Sequence, residues 1–161
     1  MKYPPIKVND PYFKTSEALI LEKLKLLNLK DGELLYDLGC GDARALIHAC
    51  SFAKVTAIGY EVLPEALEDA HANIKKAELT KQITIKNQDF YTADFSKIDA
   101  LILYLTRNAL GHLSLKLENE LKKGARIVTH DFDIPAWEAD LEKEVRLQNG
   151  TIKTIYFYTK K

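Results

Sequence analysis

The sequence lacks several features that would assign it to a class at once. Lysine plus arginine equals aspartate plus glutamate at 23 each, so the net charge is zero and no global field attracts nucleic acid. Only two cysteines occur, Cys40 and Cys50, without a CxxC pair, which excludes a disulfide framework and a cysteine-based zinc site. A local basic patch stays possible, although most lysines stand beside glutamates on predicted helix faces.

Long apolar runs are also absent. No stretch approaches the roughly 20 apolar residues of a membrane span, and the N-terminal residues lack the apolar core of a signal peptide. We therefore expect a cytoplasmic protein without a membrane segment. The 161 residues suit one domain, 1–161, and the charged helix faces favour a monomer.

What the sequence does contain is a regular alternation of short apolar runs and helical periodicity. Strands are predicted at 33–39, 54–61, 82–89, 97–105 and 125–132, with helices at 15–32, 43–53, 63–79 and 107–124. Two alternating runs around Asn149-Gly150 predict a hairpin over 144–159, and 134–143 is predicted as a short helix or loop. The pattern predicts an α/β fold: a mostly parallel, Rossmann-like sheet with helices on both faces and an antiparallel C-terminal hairpin at one edge.

Acidic residues end the first three strands. They are Asp37, Glu61 and Asp89, and Asp37 opens the glycine turn Gly39–Gly41. In an open parallel sheet a ligand binds beyond these carboxyl ends, and Glu61 has the spacing of a ribose-binding carboxylate. The alternatives are structural: turn glycines, a helix-flanking Glu61, and an Asp89 that caps a turn.

The glycine turn does not suit a dinucleotide. Asp42 and Ala43 follow its second glycine, so two carboxylates, Asp37 and Asp42, flank the place where a diphosphate would lie. A ligand that carries an ammonium and a sulfonium suits this charge better.

Three motifs, "DLGCGDAR", "GYE" and "NQDF", resemble the cofactor motifs of the seven-strand S-adenosylmethionine-dependent methyltransferases. "DPYFKTSEA" and the region from "LILYLTRNAL" to "DFDIPAW" resemble, more narrowly, the small archaeal protein lysine methyltransferases, relatives of the mitochondrial seven-strand lysine methyltransferases. The resemblance implies S-adenosyl-L-methionine as cofactor and exposed lysines of proteins as substrates. From the zero net charge, a nucleic-acid partner is not expected.

The same resemblance implies roles for individual residues. Asp37 would lie near the methionine ammonium, Glu61 would hold the ribose hydroxyls, and Asp89 would accept the adenine amino group. The remaining cofactor contacts would be Gly39, Cys40, Gly41, Val62, Phe90 and Leu105. Tyr104 and Tyr12 would be the catalytic residues, with residues 1–15 covering the cofactor. Ala43 stands where the family usually has a third glycine, and a mild effect is expected at an ordinary helix start; Lys14 replaces a usual proline.

An acceptor lysine must be neutral to attack a methyl group, and a dry aromatic channel favours the neutral amine. Tyr12, Tyr104, Phe132 and Trp137 are candidates for that channel, with core packing as the alternative for the last two.

Metal chemistry is not expected. His130, Asp131 and Asp133 are a possible ligand set, but alternating strand residues point to opposite faces. Two other functions stay open: methyl transfer to RNA or a small molecule, although "LYLT" replaces the Pro-Pro-aromatic motif of many base methyltransferases, and a non-catalytic cofactor-binding module.

Overall fold

Seven strands form one sheet in the computed structural model, which describes residues 14–161. The strands are β1 (Leu34–Leu38), β2 (Thr56–Tyr60), β3 (Ile83–Lys86), β4 (Ala100–Leu103), β5 (Arg126–His130), β6 (Leu141–Arg146) and β7 (Ile152–Thr159). Their order is β3-β2-β1-β4-β5-β7-β6. The first five are parallel, and β7 runs antiparallel to both β5 and β6. The predicted sheet and its antiparallel hairpin are confirmed.

Four helices connect the strands, and local signals fix where they begin. They are α1 (Glu17–Leu27), α2 (Arg44–Phe52), α3 (Pro64–Lys76) and α4 (Arg107–Glu120). The Ser16 hydroxyl accepts from the Leu19 amide to cap α1, and Thr106 caps α4 in the same way. Helix α1 ends earlier than Gly32, because Asn28 adopts a left-handed conformation that stops it.

The helices cover both faces of the sheet. Leucines of α1 and α2 pack with Leu35, Ile102 and Val128 on one face. Leucines of α4 pack with Leu101 and Ile127 on the other. Neighbouring residues of one strand thus point into different cores, which is the period-two geometry of a sheet buried on both sides.

The C-terminal hairpin differs from the sequence prediction at one end. Strand β6 begins at Leu141, so the last three residues of the segment predicted as helix or loop are extended. Leu141, Glu142 and Lys143 pair with Phe157, Tyr156 and Ile155. The long, half-buried β7 sets this register. Residues 134–140 form a loop, which is one of the two structures predicted for the segment 134–143.

Strand β1 lies between β2 and β4, and this arrangement determines where a ligand can bind. The chain moves outward from β1 to β3 and then returns to the other side with β4. The order of strands therefore reverses at β1, and the carboxyl ends of β1 and β4 leave a crevice between their loops.

Candidate active site

The turn after β1 is built from left-handed residues. Gly39 and Gly41 have φ of 76° and 57°, and the amides of Gly39 and Cys40 donate to the Tyr60 carbonyl at 2.9 and 3.0 Å. Glycine adopts this conformation without cost. The turn is thereby held against the end of β2.

Ala43 is not an ordinary helix start. It precedes α2 with φ 67° and ψ 11°, and it is completely buried. A left-handed conformation costs an alanine about 1–2 kcal/mol relative to glycine. A glycine at position 43 would relieve this backbone strain. The usual third glycine is therefore explained by the left-handed conformation and does not require close approach of a ligand.

Glu61, directly after β2, connects the turn to the next loop. One carboxylate oxygen accepts from the Gly41 amide at 2.9 Å. The other accepts from the amides of Val62 and Leu63 at 2.9 and 3.2 Å. The structure therefore places Glu61 beside the glycine turn and not merely at the flank of α3.

The loop after β3 brings Asp89 and Phe90 to the same edge of the sheet. The Asp89 carboxylate accepts from the Tyr91 amide at 2.9 Å and so caps a 3₁₀ turn over Phe90–Thr92, as the structural alternative has it. Asp89 is itself exposed, whereas Phe90 is buried. Val62 leaves 53% of its surface exposed, which makes it an apolar platform beside Glu61.

The sequence predicts two unpaired carboxylates, Asp37 and Asp42, at the turn, but Asp42 is paired with an arginine. Arg44 Nε donates to Asp42 Oδ2 at 2.7 Å, and Arg44 Nη2 donates to the Thr15 carbonyl at 2.6 Å. An internal arginine thus offsets the charge of Asp42, which weakens the reasoning from two bare carboxylates. A different carboxylate, that of Glu61, bonds directly to the turn, through the Gly41 amide.

Asp37 is buried and lies opposite a buried lysine. Burial raises the pKa of Asp37 to about 7, the Lys23 ammonium opposes that shift, and the nearby Glu61 and Asp42 add to it. Burial likewise lowers the pKa of Lys23 to about 8, against the attraction of Asp37 and Asp131. Lys23 comes from α1, and it was not among the residues singled out from the sequence.

Lys23 begins a network of side chains, the Lys23 network, that also contains His130, Tyr104, Asp131 and Lys153. Lys23 Nζ lies 3.2 Å from the Leu103 carbonyl and 2.9 Å from His130 Nδ1. An ammonium only donates, so Nδ1 accepts and the ring is neutral. Burial and the charges of Lys23 and Lys153 lower the pKa of His130, in agreement with a neutral ring.

Tyr104 connects His130 to Asp131. Its ring stacks on the His130 ring with centroids 3.8 Å apart, and its hydroxyl donates to Asp131 Oδ2 at 3.2 Å. Lys153 Nζ reaches the same oxygen at 3.1 Å. Burial and the Asp131 charge raise the pKa of Tyr104.

His130 and Asp131 do not point to opposite faces, contrary to the prediction from strand alternation. Both side chains contact Tyr104. Asp131 has φ 68°, so it has already left the extended conformation in which side chains alternate. Over residues 14–161, no group of three or more His, Cys, Asp or Glu side chains could hold a metal ion.

The remaining site residues predicted from the sequence lie partly in the core and partly at the surface, and one lies outside the described residues. Leu105 is buried, and a Cβ built on Gly39 would lie 3.5 Å from Leu105 Cδ2. Cys40 is buried with its sulfur against Gly59. Trp137 packs edge-on against Tyr158 in the core, as the packing alternative has it, whereas Phe132 is 40% exposed. Tyr12 and residues 1–13 lie outside the described residues.

A cleft lies at the switch between β1 and β4, and the predicted site residues Glu61, Val62, Asp89, Phe90 and Leu105 are not among those that line it. Its walls come from α1 and the two residues 14–15 before it, from the glycine turn with the start of α2, and from the end of β4 with Tyr104. The lining residues are Lys14, Thr15, Ile20, Lys23, Leu24, Asp37, Gly39, Cys40, Gly41, Asp42, Arg44, Ala45, Ile102 and Tyr104. Asp37, Lys23 and Tyr104 therefore face one space.

Comparison with known proteins identifies the family. The model of the ANTKMT methyltransferase domain matches residues 37–141, from Asp37 to the start of β6. This chain belongs to the ANTKMT methyltransferase domain family. The match spans the glycine turn, Glu61, Asp89 and Tyr104, the positions on which the sequence resemblance rests.

Curated proteins similar to this chain include lysine methyltransferases. The chain is 33% identical to the protein-lysine N-methyltransferase of Saccharolobus islandicus, over 98% of this chain and 96% of that protein. It is 28% identical to the adenine nucleotide translocase lysine N-methyltransferase of Mus musculus, over 83% of this chain and 58% of the mouse protein. The chain thus spans little more than half the length of the mouse relative.

Solved structures support the methyltransferase fold. An RNA methyltransferase from Salinibacter ruber, in complex with S-adenosyl-L-homocysteine, superposes with a TM-score of 0.82 at 29% identity, over 91% of this chain and 93% of that chain. A precorrin-6y C5,15-methyltransferase from Geobacter metallireducens superposes with a TM-score of 0.72 at 17% identity, over 99% of this chain and all of that chain.

Lys23 and Lys153, the two ends of the Lys23 network, lie outside the part of this methyltransferase chain that the family model matches. One sequence signal could have found Lys23. It stands on the apolar face of α1, three residues after Ile20 and four before Leu27, where a lysine is out of pattern. Lys153 lies in an alternating strand and gives no comparable signal.

Proposed function

We propose that this chain is an S-adenosylmethionine-dependent methyltransferase that transfers methyl groups to the side-chain amines of protein lysines. The main support is the cleft in which the Glu61-held glycine turn and Tyr104 meet at the strand-order switch. Similarity to the Saccharolobus lysine methyltransferase over nearly the whole chain supports the choice of substrate.

The residues of the cleft and of the neighbouring β2 and β3 loops suit this cofactor. Asp37, facing the cleft, would accept the methionine ammonium, and the turn Gly39–Gly41 brings bare backbone to its wall. Glu61 would hold the ribose hydroxyls. Three of its roughly four lone-pair sites accept backbone amides, which leaves the second site of Oε1 for the ribose. Asp89 and Phe90 would meet the adenine, with Val62 as the platform below it.

The cofactor supplies an electrophilic methyl group on a sulfonium. The work of the protein is then to hold the acceptor nitrogen in line, and positioning alone can contribute most of the rate. Tyr104 and Leu105 would line the transfer position, with Tyr104 fixed by its stack on His130 and its bond to Asp131. Burial around this stack favours the neutral form of an incoming amine. We propose Tyr12, from the N-terminal segment, as its second aromatic wall.

Methylation of RNA is the second candidate. It is supported by the Salinibacter RNA methyltransferase, which is 29% identical to this chain. Incubation with tritiated S-adenosylmethionine and either cell protein or cell RNA, from the source organism, separates the two. We expect label in protein that is recovered as methyl-lysine after acid hydrolysis. Label only in RNA would replace the lysine proposal, and cofactor binding with no label in either would favour a binding module.

We also propose that the protein is a monomer. The sheet has two edge strands, β3 and β6. The more exposed one is β6, with the sequence LEKEVR, and charged side chains on an edge strand disfavour pairing with another copy. Light scattering coupled to size exclusion should give a mass near 18.3 kDa.

A further inference from the structure

Lys23 is a buried cation whose surroundings leave part of its bonding capacity unused. It is 4% exposed, and its Nζ contacts two uncharged acceptors, the Leu103 carbonyl and His130 Nδ1. An ammonium has three donors. Within the described residues, no carboxylate oxygen lies within ion-pair distance of Nζ. Burying a charge is costly unless an opposite charge bonds to it.

Among the described residues, a second lysine is buried, and its site supplies a direct counter-charge. Lys116, in α4, is 3% exposed, and its Nζ donates to both Glu120 oxygens at 3.0 and 2.8 Å. The same Nζ lies 4.6 Å from the centre of the Phe95 ring. The protein therefore supplies a complete counter-charge for one buried lysine and, among the residues described, none in direct contact for the other.

The place of Lys23 indicates what could complete its bonding. Lys23 and Asp37 line one cleft and attract each other electrostatically without a hydrogen bond between them. A wall with one buried cation and one buried anion complements a zwitterion, whose carboxylate would meet Lys23 while its ammonium meets Asp37. His130, neutral and stacked under Tyr104, keeps Nζ at this wall.

We propose that Lys23 binds the carboxylate of the methionine part of S-adenosylmethionine. The inference rests on the proposed function. Lys23 and Asp37 would then bind the amino-acid end of the cofactor together, while Glu61, Val62 and Asp89 contact the adenosine end. Lys23 donates its third N–H to the ligand and keeps its contacts to Leu103 and His130.

Three ligands test the proposal by calorimetry on the full chain. They are S-adenosylmethionine, decarboxylated S-adenosylmethionine, and 5′-methylthioadenosine, which lacks the amino-acid end altogether. We expect the unmodified protein to bind the decarboxylated ligand roughly 10- to 100-fold more weakly than S-adenosylmethionine, the usual range for a lost charged hydrogen bond. Lys23→Met should bind these two ligands with equal affinity and should bind 5′-methylthioadenosine like the unmodified protein.

Lys116→Met is the matched control, because it also removes a buried lysine but lies away from the cleft. It should keep the full preference for the carboxylate. If Lys23→Met keeps that preference, the proposal is overturned. If Lys23→Met no longer binds 5′-methylthioadenosine, Lys23→Gln, which retains a neutral donor for His130, is tested instead. It too should lose the preference for the carboxylate and bind 5′-methylthioadenosine like the unmodified protein. If the unmodified protein binds none of the three ligands, the proposed function is overturned instead.

Discussion

The two sides of the glycine turn are held in different ways. On the β2–β3 side, which comprises Glu61, Val62 and Asp89, carboxylates accept hydrogen bonds mainly from backbone amides close to them in sequence, and Glu61 makes one contact more distant in sequence, with the Gly41 amide. On the β4–β5 side, which comprises the Lys23 network, side chains from α1, β4, β5 and β7 hold one another. The first side depends on local spacing and the second on tertiary structure, so the two should respond differently to substitution.

The largest effect is expected on the β2–β3 side. Glu61→Ala should weaken S-adenosylmethionine binding by about 1–3 kcal/mol, because a charged acceptor of the ribose is lost. It also leaves the amides of Gly41, Val62 and Leu63 without their acceptor, so the melting temperature should fall too. Calorimetry and thermal unfolding measure the two effects.

Glu65→Ala is the control for that experiment. Glu65 is an exposed carboxylate in the first turn of α3, only four residues away. Its removal should leave cofactor affinity unchanged. Equal affinities for Glu61→Ala and the unmodified protein would remove Glu61 from the site.

The next effect is a pH dependence centred on Asp37. Its pKa is raised to about 7 by burial, so the carboxyl is mostly protonated at pH 6 and has no charge to attract an ammonium. Affinity for S-adenosylmethionine should therefore rise, by roughly eightfold between pH 6 and pH 7.5, as the ionised fraction of the carboxyl increases. In Asp37→Asn, binding should be weaker and nearly independent of pH over that range; an unchanged profile would assign the titration to another group.

A smaller effect is expected from Tyr104→Phe on the β4–β5 side. The ring and its stack on His130 remain, and only the hydrogen bond to Asp131 is lost. Turnover should fall by roughly two- to tenfold at unchanged cofactor affinity, because one neutral donor has been removed. Tyr91→Phe is the control: its hydroxyl is buried and has no hydrogen-bond partner among the described residues, so its loss should leave turnover unchanged. A larger loss in Tyr91→Phe than in Tyr104→Phe would contradict the role of Tyr104.

The smallest effect concerns the residue at which the turn passes into α2. Ala43→Gly removes left-handed strain and one buried methyl group, and the two opposing terms should leave the free energy of unfolding within about 1 kcal/mol of its value. Ala43→Val should cost more than about 2 kcal/mol, since a β-branched residue rarely adopts positive φ. Denaturant unfolding of the three proteins checks this order, and an Ala43→Val variant as stable as the unmodified protein would contradict it.

The sequence predicted most of the fold and the local part of the site. Alternating periodicity identified the parallel strands, and spacing selected Glu61 as a candidate carboxylate, which the structure places beside the glycine turn. Three features could not be predicted. The pairing of β6 from Leu141 depends on β7. The pairing of Asp42 with Arg44 depends on rotamers. The contact of His130 with Lys23 joins residues 107 positions apart, and no local pattern encodes it.

The contact between Cys40 and Gly59 gives this turn a built-in chemical probe. A Cβ at Gly59 would lie 2.6 Å from the Cys40 sulfur, so the thiol is enclosed, and burial raises its pKa far above the ordinary range. A protonated, enclosed thiol reacts with alkylating reagents only when the surrounding structure opens. The rate at which Cys40 is alkylated therefore reports how often the turn opens, at the native residue and without an added label.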